Sequence, residues 1–387
     1  MRYFSSFVKR EGIEVDALQT GFMDFFKTVP DHRIERRKRY PVEEILFLTL
    51  CGLLAGCEGW NDIEFYGRTK LKYLKRYFPF KSGIPSDDTL RRFFRTLDPK
   101  KFEDCFFLWV KSFQSDLAEK IVAIDGKTCC GSFDSDTRPL HLVSAFVSET
   151  GISLGQVKVD DKTNEIKAVP VLLDMLDLTG ATVTIDAMGC QVDIAEKVLE
   201  KGADYIFSLK GNQGTLHESV QKFFERKLPK IKRKRFTKEN NGHGRHEKRK
   251  CTVVDDIEWL RERHPRWSTV KSIVEIESTR QEGDKVTEEK RYYVTSHSSD
   301  PKKLLSAVRM HWGIENRLHW VLDVCFGEDD SRIRKGNAPQ NIALVKKAAL
   351  NMMQIAKAAH PRVSFKRMRK AAGWDNQFLD CLLKGHF

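Results

Sequence analysis

The chain has 387 residues, enough for two or three domains that each bury a core. It carries 67 Lys and Arg against 54 Asp and Glu, and this net charge of +13 favours a polyanionic partner such as double-stranded DNA. The start lacks the apolar core of a signal peptide, and the longest apolar run, 45–57, is short of the roughly 20 residues that span a bilayer. Nine cysteines without a C-x-x-C pair argue against a zinc ribbon or a disulfide framework. These features predict a cytoplasmic, nucleoid-associated protein with no membrane contact.

Residues 1–118 predict an N-terminal helical domain. Apolar residues recur there at spacings of three and four, which is the period of amphipathic helices, and the apolar run 45–57 predicts a buried helix. Ser86 is the predicted N-cap of a helix that Asp98-Pro99 ends. We expect this domain to bind DNA through a cluster of cations. The cluster comprises Arg33, Arg36, Arg37, Lys38 and Arg39.

The pattern changes at about residue 120. Three strands are predicted first, and the second and third form a hairpin around Thr150-Gly151. Helices and strands then alternate through residues 164–227, with Asp125 at the end of the first strand and Asp186 at the end of the fourth. The order strand, strand, strand, helix, strand, helix, strand, helix is that of the ribonuclease-H-like fold. It predicts an α/β domain with a mixed sheet flanked by helices.

Residues 228–297 interrupt this alternation. The dense basic and polar segment 230–250 predicts a loop, and strand-like runs follow it, so we expect a β-rich insertion. Helical periodicity resumes at residue 301. The prediction is therefore a second domain over residues 119–356, which contains the insertion, and a basic C-terminal tail over residues 357–387.

Asp125 and Asp186 are the first candidates for a functional site. They end strands that lie side by side in the predicted sheet, so both carboxylates emerge near each other at one edge. Phosphodiester cleavage commonly uses two divalent ions about 3.5–4 Å apart. Magnesium prefers carboxylate oxygens, with water and phosphate completing its octahedron. The pair therefore predicts metal-dependent chemistry at phosphate.

Glu315 is a candidate third acid on a predicted helix. His311 and His319 lie four residues before and after it, so both imidazoles share its helical face. That spacing leaves a zinc site of these three residues open as an alternative. Packing alone is a further alternative, and we expect Trp312 and Trp320 to lie in the core.

Three segments resemble the three blocks of the DDE insertion-sequence transposases, and the H-repeat-associated group is the most similar. They are AIDGKT around Asp125, TIDAMGCQ around Asp186, and HWGIEN with LHWVLDVCFGEDDSR around Glu315. The likeness covers residues 20–356. Its N-terminal part resembles that group's helical transposase-associated domain, on the stretches PDHRIERRKRYPVEEIL and GIPSDDTLRRFFRTLDP.

The resemblance implies a transposase that cleaves DNA at the ends of an insertion sequence and transfers the strand. It implies that Asp125, Asp186 and Glu315 are catalytic and bind two Mg²⁺ ions, which Mn²⁺ can replace. A homodimer on double-stranded DNA is expected, because two element ends must be held together. One alternative is a catalytically inactive DNA-binding protein derived from a transposase, and another is a nuclease selective for DNA structure.

Six side chains are predicted to contact DNA. Lys127 follows Asp125 closely, although a solvated lysine in a turn is an alternative. Lys210 and Asn212 end the strand after Asp186, on the same edge of the sheet, and the resemblance supports them. Arg245 lies in the basic insertion, where a flexible charged loop is the alternative, and His311 and Arg317 lie on the helix of Glu315. One departure from the wider superfamily affects this set. Where that superfamily has a Tyr, an Arg and a Lys around the Glu, this chain has Val308, His311 and Leu322, so Arg309, His311 or Arg317 is expected to take over the contact with DNA.

Overall fold

The computed structural model describes residues 22–27, 29–31, 33–34, 38–133, 138–159, 165–226, 231–242, 244–298 and 300–385. The chain forms two compact units. The first unit comprises residues 1–116, 126–162 and 315–387, and the second comprises residues 117–125 and 163–314. Each unit therefore combines segments that are distant in sequence. No helix in the described ranges combines the length and the apolarity that a membrane span requires.

The predicted N-terminal helices belong to the first unit. Their bounds are α1 (Phe22–Phe26), α2 (Val42–Leu54), α3 (Trp60–Leu74), α4 (Asp87–Thr96) and α5 (Pro99–Phe113). The apolar run predicted as a buried helix is α2, which is buried almost throughout. Ser86 caps α4 as predicted, because its hydroxyl accepts a hydrogen bond from the Thr89 N–H at 3.4 Å. Of the predicted cationic cluster, Arg33 pairs with Asp31 at 2.7 Å, while Arg36 and Arg37 lie outside the described residues.

In the part of the chain that the structure describes, nine strands, numbered along the sequence, form one mixed sheet in the order β3-β2-β1-β4-β5-β9-β8-β7-β6. The first five have the bounds β1 (Ile121–Cys129), β2 (Leu140–Val147), β3 (Ile152–Val159), β4 (Thr182–Ile185) and β5 (Asp204–Leu209). Three helices follow β3, β4 and β5 in turn: α6 (Glu165–Met175), α7 (Val192–Glu200) and α8 (Gly214–Glu225). The α/β fold with a large mixed sheet and flanking helices is confirmed, and so is the β2–β3 hairpin, whose turn places Gly151 at a φ of 75°.

The segment predicted as a basic loop is instead a hairpin. Strands β6 (Lys234–Gly242) and β7 (Arg245–Val254) pair in an antiparallel register. Helix α9 (Glu258–Arg263) and strands β8 (Ser272–Glu282) and β9 (Lys285–Thr295) follow. Their charges are matched across the strands, as between Lys250 and Glu277 at 2.6 Å, so a strand can be polar on both faces here. Strand β9 pairs with β5, and these four strands therefore extend the main sheet.

Helices complete the chain. Their bounds are α10 (Pro301–His311), a π-helix (Ile314–His319), α11 (Trp320–Phe326), α12 (Ala338–Ala356), α13 (Phe365–Trp374) and α14 (Asn376–Lys384). Residues 357–387, predicted as a basic tail, include the last two of these helices, and both pack within the first unit. Helix α13 contacts α2 and α11, and α14 contacts α12. This segment is therefore a folded part of that unit.

Candidate active site

The register of β1 and β4 brings Asp125 and Asp186 to equivalent positions in the second unit. Ile124 and Ile185 are partners in the parallel pairing, and each aspartate is the next residue along its strand. Neighbouring strands lie about 4.8 Å apart, and residues in register point to the same face. One detail differs from the sequence interpretation, because β1 continues through Asp125 to Cys129. Asp125 therefore lies within β1, at the residue that follows the end of its pairing with β4.

The turn after β4 fixes the Asp186 carboxylate. Its Oδ1 accepts hydrogen bonds from the N–H of Met188 at 3.1 Å and of Gly189 at 3.2 Å. Gly189 cannot carry a side chain, since a Cβ there would lie 2.2 Å from Cγ2 of Ile185. The turn therefore packs directly on the last residue of the strand that presents the acid. Sequence reasoning missed Gly189, although a glycine three residues after a strand-end aspartate is a signal for such a turn.

The electrostatic environment of Asp186 disfavours its ionised form. Burial raises the pKa of this carboxyl group, and the negative charge of Glu165 raises it further. The two backbone hydrogen bonds and the positive charge of Lys210 act in the opposite direction. Because the Asp186 carboxylate is partly desolvated and lies near a second aspartate, a bound cation would stabilise its ionised form.

Asn212 and Gln213 support the same turn from the end of β5. The Asn212 amide donates a hydrogen bond to the Ala187 carbonyl, and the Gln213 amide donates one to the Cys190 carbonyl at 2.9 Å. Asn212 was predicted to contact DNA, but its amide is bound to the turn that positions Asp186. Lys210, the neighbouring predicted DNA contact, is exposed.

Glu315 lies on the π-helix in the first unit. Its side chain is exposed to solvent. Sequence periodicity predicts an α-helix at this position, but the hydrogen-bonding pattern widens here to that of a π-helix. Such turns are rare and frequently occur at functional sites. The structure thus gives Glu315 an accessible carboxylate on an irregular helical turn.

The tryptophans around Glu315 are not core residues, in contrast to the sequence interpretation. Trp312 is 40% exposed and Trp320 is 59% exposed. Within the second unit, the Arg291 guanidinium lies 5.1 Å from the centre of the Trp312 ring, in a cation–π contact. The helical period predicts which residues share a face but does not show whether another element covers that face.

His311 has an internal partner. Its Nδ1 lies 3.0 Å from the Thr184 hydroxyl on β4. Burial lowers the pKa of His311 to about 4, so the imidazole is neutral at physiological pH. A neutral imidazole cannot replace the positive charge of the arginine that the wider superfamily carries at this offset.

Lys127 is also held internally, although a phosphate contact or a solvated turn was predicted. In the first unit its ammonium pairs with Asp323, with Glu328 at 3.0 Å and with Asp329 at 3.6 Å. Burial alone lowers the pKa of Lys127, but these carboxylates raise it above the ordinary value. The residue joins β1 to the segment after α11, and its charge is neutralised there.

Arg317 and Arg245 differ in their surroundings. In the first unit the Arg317 guanidinium donates to the Ser148 carbonyl and lies 5.8 Å from the centre of the Phe146 ring, so it packs on the β2–β3 hairpin. In the second unit Arg245 begins β7, is partly exposed and lies 3.4 Å from Glu247. Asn212 and Arg317 are exposed as well, but their side-chain donors are bound to backbone carbonyls, whereas the exposed Lys210 and the partly exposed Arg245 remain available to a ligand.

The oxygen donors of this site suit a hard divalent cation. Among the described residues no hydrogen bond reaches the second carboxylate oxygen of Asp186, which leaves it able to act as a ligand. The described part of the chain nevertheless gathers no group of three or more His, Cys, Asp or Glu side chains into a metal site. The zinc alternative at His311, Glu315 and His319 thus gains no support, and Glu315 as a third metal ligand stays a prediction.

Comparison with known proteins relates this chain to transposases. The Transposase DDE domain family matches residues 117–352, and the DDE_Tnp_1-associated family matches residues 23–110. YncI of Escherichia coli O157:H7, named as a candidate transposase, is 41% identical over 90% of this chain and 91% of its own length. YhhI of Escherichia coli K12, named as a candidate H repeat-associated transposase, is 38% identical over 94% of this chain and 97% of its own length.

Two further likenesses differ in extent. YbfQ of Escherichia coli K12, named an inactive transposase, is 41% identical over 18% of this chain and 83% of its own length. A piggyBac transposase from a synaptic complex with hairpin DNA superposes with a TM-score of 0.46 and 11% identity, over 98% of this chain and 79% of that chain. The two family matches and the relatives near 40% identity over most of the chain show that this protein belongs to the DDE transposase family.

Proposed function

We propose that this protein is an active DNA transposase that binds the ends of an insertion sequence, cleaves a phosphodiester bond there and transfers the strand to target DNA. The observation that carries the proposal is the alignment of Asp125 and Asp186 in adjacent parallel strands, next to the partners Ile124 and Ile185. Membership of the DDE transposase family, which generally depends on divalent metal ions, supports the same function.

In this proposal Asp125, Asp186 and Glu315 hold two Mg²⁺ ions, which Mn²⁺ can replace. The ions, when bound, supply positive charge that activates the attacking oxygen and stabilises the leaving oxygen. The Asp186 carboxylate is oriented by its backbone hydrogen bonds, and the Asn212 amide steadies the turn that donates them. Lys210 and Arg245 bind DNA phosphates.

Two chemical steps follow from this arrangement. In the first, water attacks the phosphodiester at the element end, and the bond to the 3′ oxygen breaks to leave a 3′ hydroxyl. In the second, that hydroxyl attacks a target phosphodiester, so a new phosphorus–oxygen bond forms as the target strand breaks. Both element ends must be present for joining, and we therefore propose a homodimer on the DNA.

A second function, binding without catalysis, is favoured by one observation. A relative that matches part of this chain is named an inactive transposase. The three acids are intact in this chain, which favours activity. A third function, cleavage of DNA according to its structure, would use the same aspartate pair without requiring element ends.

The discriminating experiment uses the full-length protein, Mg²⁺ and DNA taken from the flanks of the coding region, with scrambled DNA as the control. The proposal predicts cleavage of the flank DNA at one position and a joined product in the presence of target DNA. Specific binding of the flank DNA without any cut in Mg²⁺ or Mn²⁺ would identify an inactive DNA-binding protein. Equal cutting of scrambled DNA without a joined product would identify a nuclease.

A further inference from the structure

Helix α13 lies outside the residues that the two transposase families match. Those matches cover residues 23–110 and 117–352, and α13 spans Phe365–Trp374. Its sequence, FKRMRKAAGW, contains four cations and no acidic residue. The function proposed above does not use this helix, and its composition is typical of a surface that binds a polyanion.

The inner side of α13 is fixed in the first unit by Arg369. This guanidinium is 5% exposed and donates hydrogen bonds to the carbonyls of Leu53 at 2.9 Å, Cys57 at 3.1 Å and Cys325. Gly373 adds a close approach, since a Cβ there would lie 3.0 Å from the Ala55 carbonyl oxygen. The helix is therefore held at its middle and near its C-terminal end, and its outer side has a fixed direction.

The outer side presents four exposed residues: Lys366, Arg367, Lys370 and Trp374. An α-helix turns about 100° per residue, so these four fall within an arc of about 100°. The same arithmetic places Met368, Arg369 and Ala372, which are buried, on the opposite side. Trp374 is 79% exposed, the highest value among the large hydrophobic residues that the structure describes.

Across the described residues, Lys366, Arg367 and Lys370 form no ion pair. Helix α4 is a contrasting case, because its exposed Arg91 and Arg92 pair with Asp87 at 2.9 Å and Asp88 at 3.4 Å. Near α13, the acid that follows it, Asp375, accepts a hydrogen bond from the Gln377 N–H and caps α14.

We propose that the outer face of α13, formed by Lys366, Arg367, Lys370 and Trp374, docks on the backbone of double-stranded DNA. The step from Lys366 to Trp374 covers about 12 Å of helix, the length of three to four phosphates along one strand. The lysines and the arginine contact phosphate oxygens, and the Trp374 indole N–H donates to another while its ring packs on sugar. This inference rests on the proposed function, since it takes DNA as the partner.

The test measures affinity of the full-length protein for labelled duplex DNA as a function of salt concentration. Each phosphate contact contributes about −0.9 to the slope of the logarithm of the association constant against the logarithm of the salt concentration. The double variant Lys366→Gln/Lys370→Gln should therefore reduce the magnitude of the slope by about 1.8, which corresponds to roughly 60-fold weaker binding at 0.1 M salt. Trp374→Ala should weaken binding severalfold and leave the slope unchanged.

The matched control is Arg91→Gln/Arg92→Gln on α4, which removes two exposed cations that are already paired and should leave the slope unchanged. Circular dichroism and thermal melting of each variant confirm folding. If the wild-type protein binds DNA with a salt-dependent affinity and the α13 variants match it, the docking surface is refuted and the proposed function stands. If the wild-type protein does not bind duplex DNA, both proposals fail.

Discussion

Gly189 shows how one residue couples the fold to the chemistry. Its N–H donates to Asp186, and its missing side chain lets the turn contact Ile185, the register partner of Ile124. The sequence indicates the two aspartates, because strand order alone makes them neighbours. It indicates less about how they are held: Gly189 is a signal for a turn, but the two hydrogen bonds from backbone N–H groups to Asp186 cannot be read from residue type.

Gly189→Ala should therefore destabilise the protein. The added Cβ overlaps Ile185 at 2.2 Å, and relieving the overlap by moving backbone costs about 1–3 kcal/mol or more. Urea unfolding measures this loss. Gly211→Ala is the matched control, since a Cβ there meets nothing within 4 Å, and its stability should equal that of the wild type. Equal stability of the two variants would contradict the packing described for the turn.

We expect the buried carboxyl group of Glu103 to make the free energy of unfolding depend on pH. Burial raises the pKa of this carboxyl group to about 7 from an ordinary value of 4.5, although a hydrogen bond from Gln340 lowers it. Because the folded protein holds the proton more tightly than the unfolded chain, this group's contribution is largest below pH 4.5 and declines as pH rises to 7.

Glu103→Gln should remove that decline, because the amide keeps an acceptor for Gln340 and does not ionise. The variant should exceed the wild type in stability by up to about 3 kcal/mol above pH 7, and the difference should vanish near pH 4.5. Urea unfolding at a series of pH values tests this expectation. Parallel pH profiles of the two proteins would show that Glu103 is not the responsible group.

At the scale of elements, the alternation of strands and helices through residues 121–225 could be predicted, because buried parallel strands and amphipathic helices leave clear periodic patterns. The β6–β7 hairpin could not, since its charges are satisfied by partners on other strands, as for Lys248 with Glu239 at 2.9 Å. The π-helix at Glu315 and the exposure of Trp320 also depend on tertiary surroundings that a periodicity does not contain.

The side chain of Arg369 joins α13 to the ends of α2 and α11, so its removal tests how the packing of these helices contributes to stability. Arg369→Ala leaves three buried carbonyls without their charged donor and should lower stability by about 2–4 kcal/mol. Arg367→Ala, on the exposed side of the same helix, should change stability by less than about 0.5 kcal/mol. Thermal unfolding compares them, and similar melting temperatures would refute the anchoring role of Arg369.

At the scale of the whole molecule, the net charge of +13 predicts a polyanionic partner but does not locate the contacts. Several cations that proximity in sequence associated with DNA have internal roles, as Lys127 does with Glu328. Others, such as Lys210 and the outer residues of α13, are exposed. Locating the DNA contacts requires knowledge of which charges the fold already neutralises.

The most direct test is the rate of Mg²⁺-dependent cleavage of flank DNA by Asp125→Asn and Asp186→Asn, measured beside DNA binding. The control is Asp193→Asn, whose side chain is 85% exposed on α7. The aspartate pair predicts that both site variants lose at least about 100-fold in cleavage rate while binding DNA with unchanged affinity, and that the control retains the wild-type rate. Cleavage at the wild-type rate by either site variant would contradict the assignment of Asp125 and Asp186 as the catalytic pair.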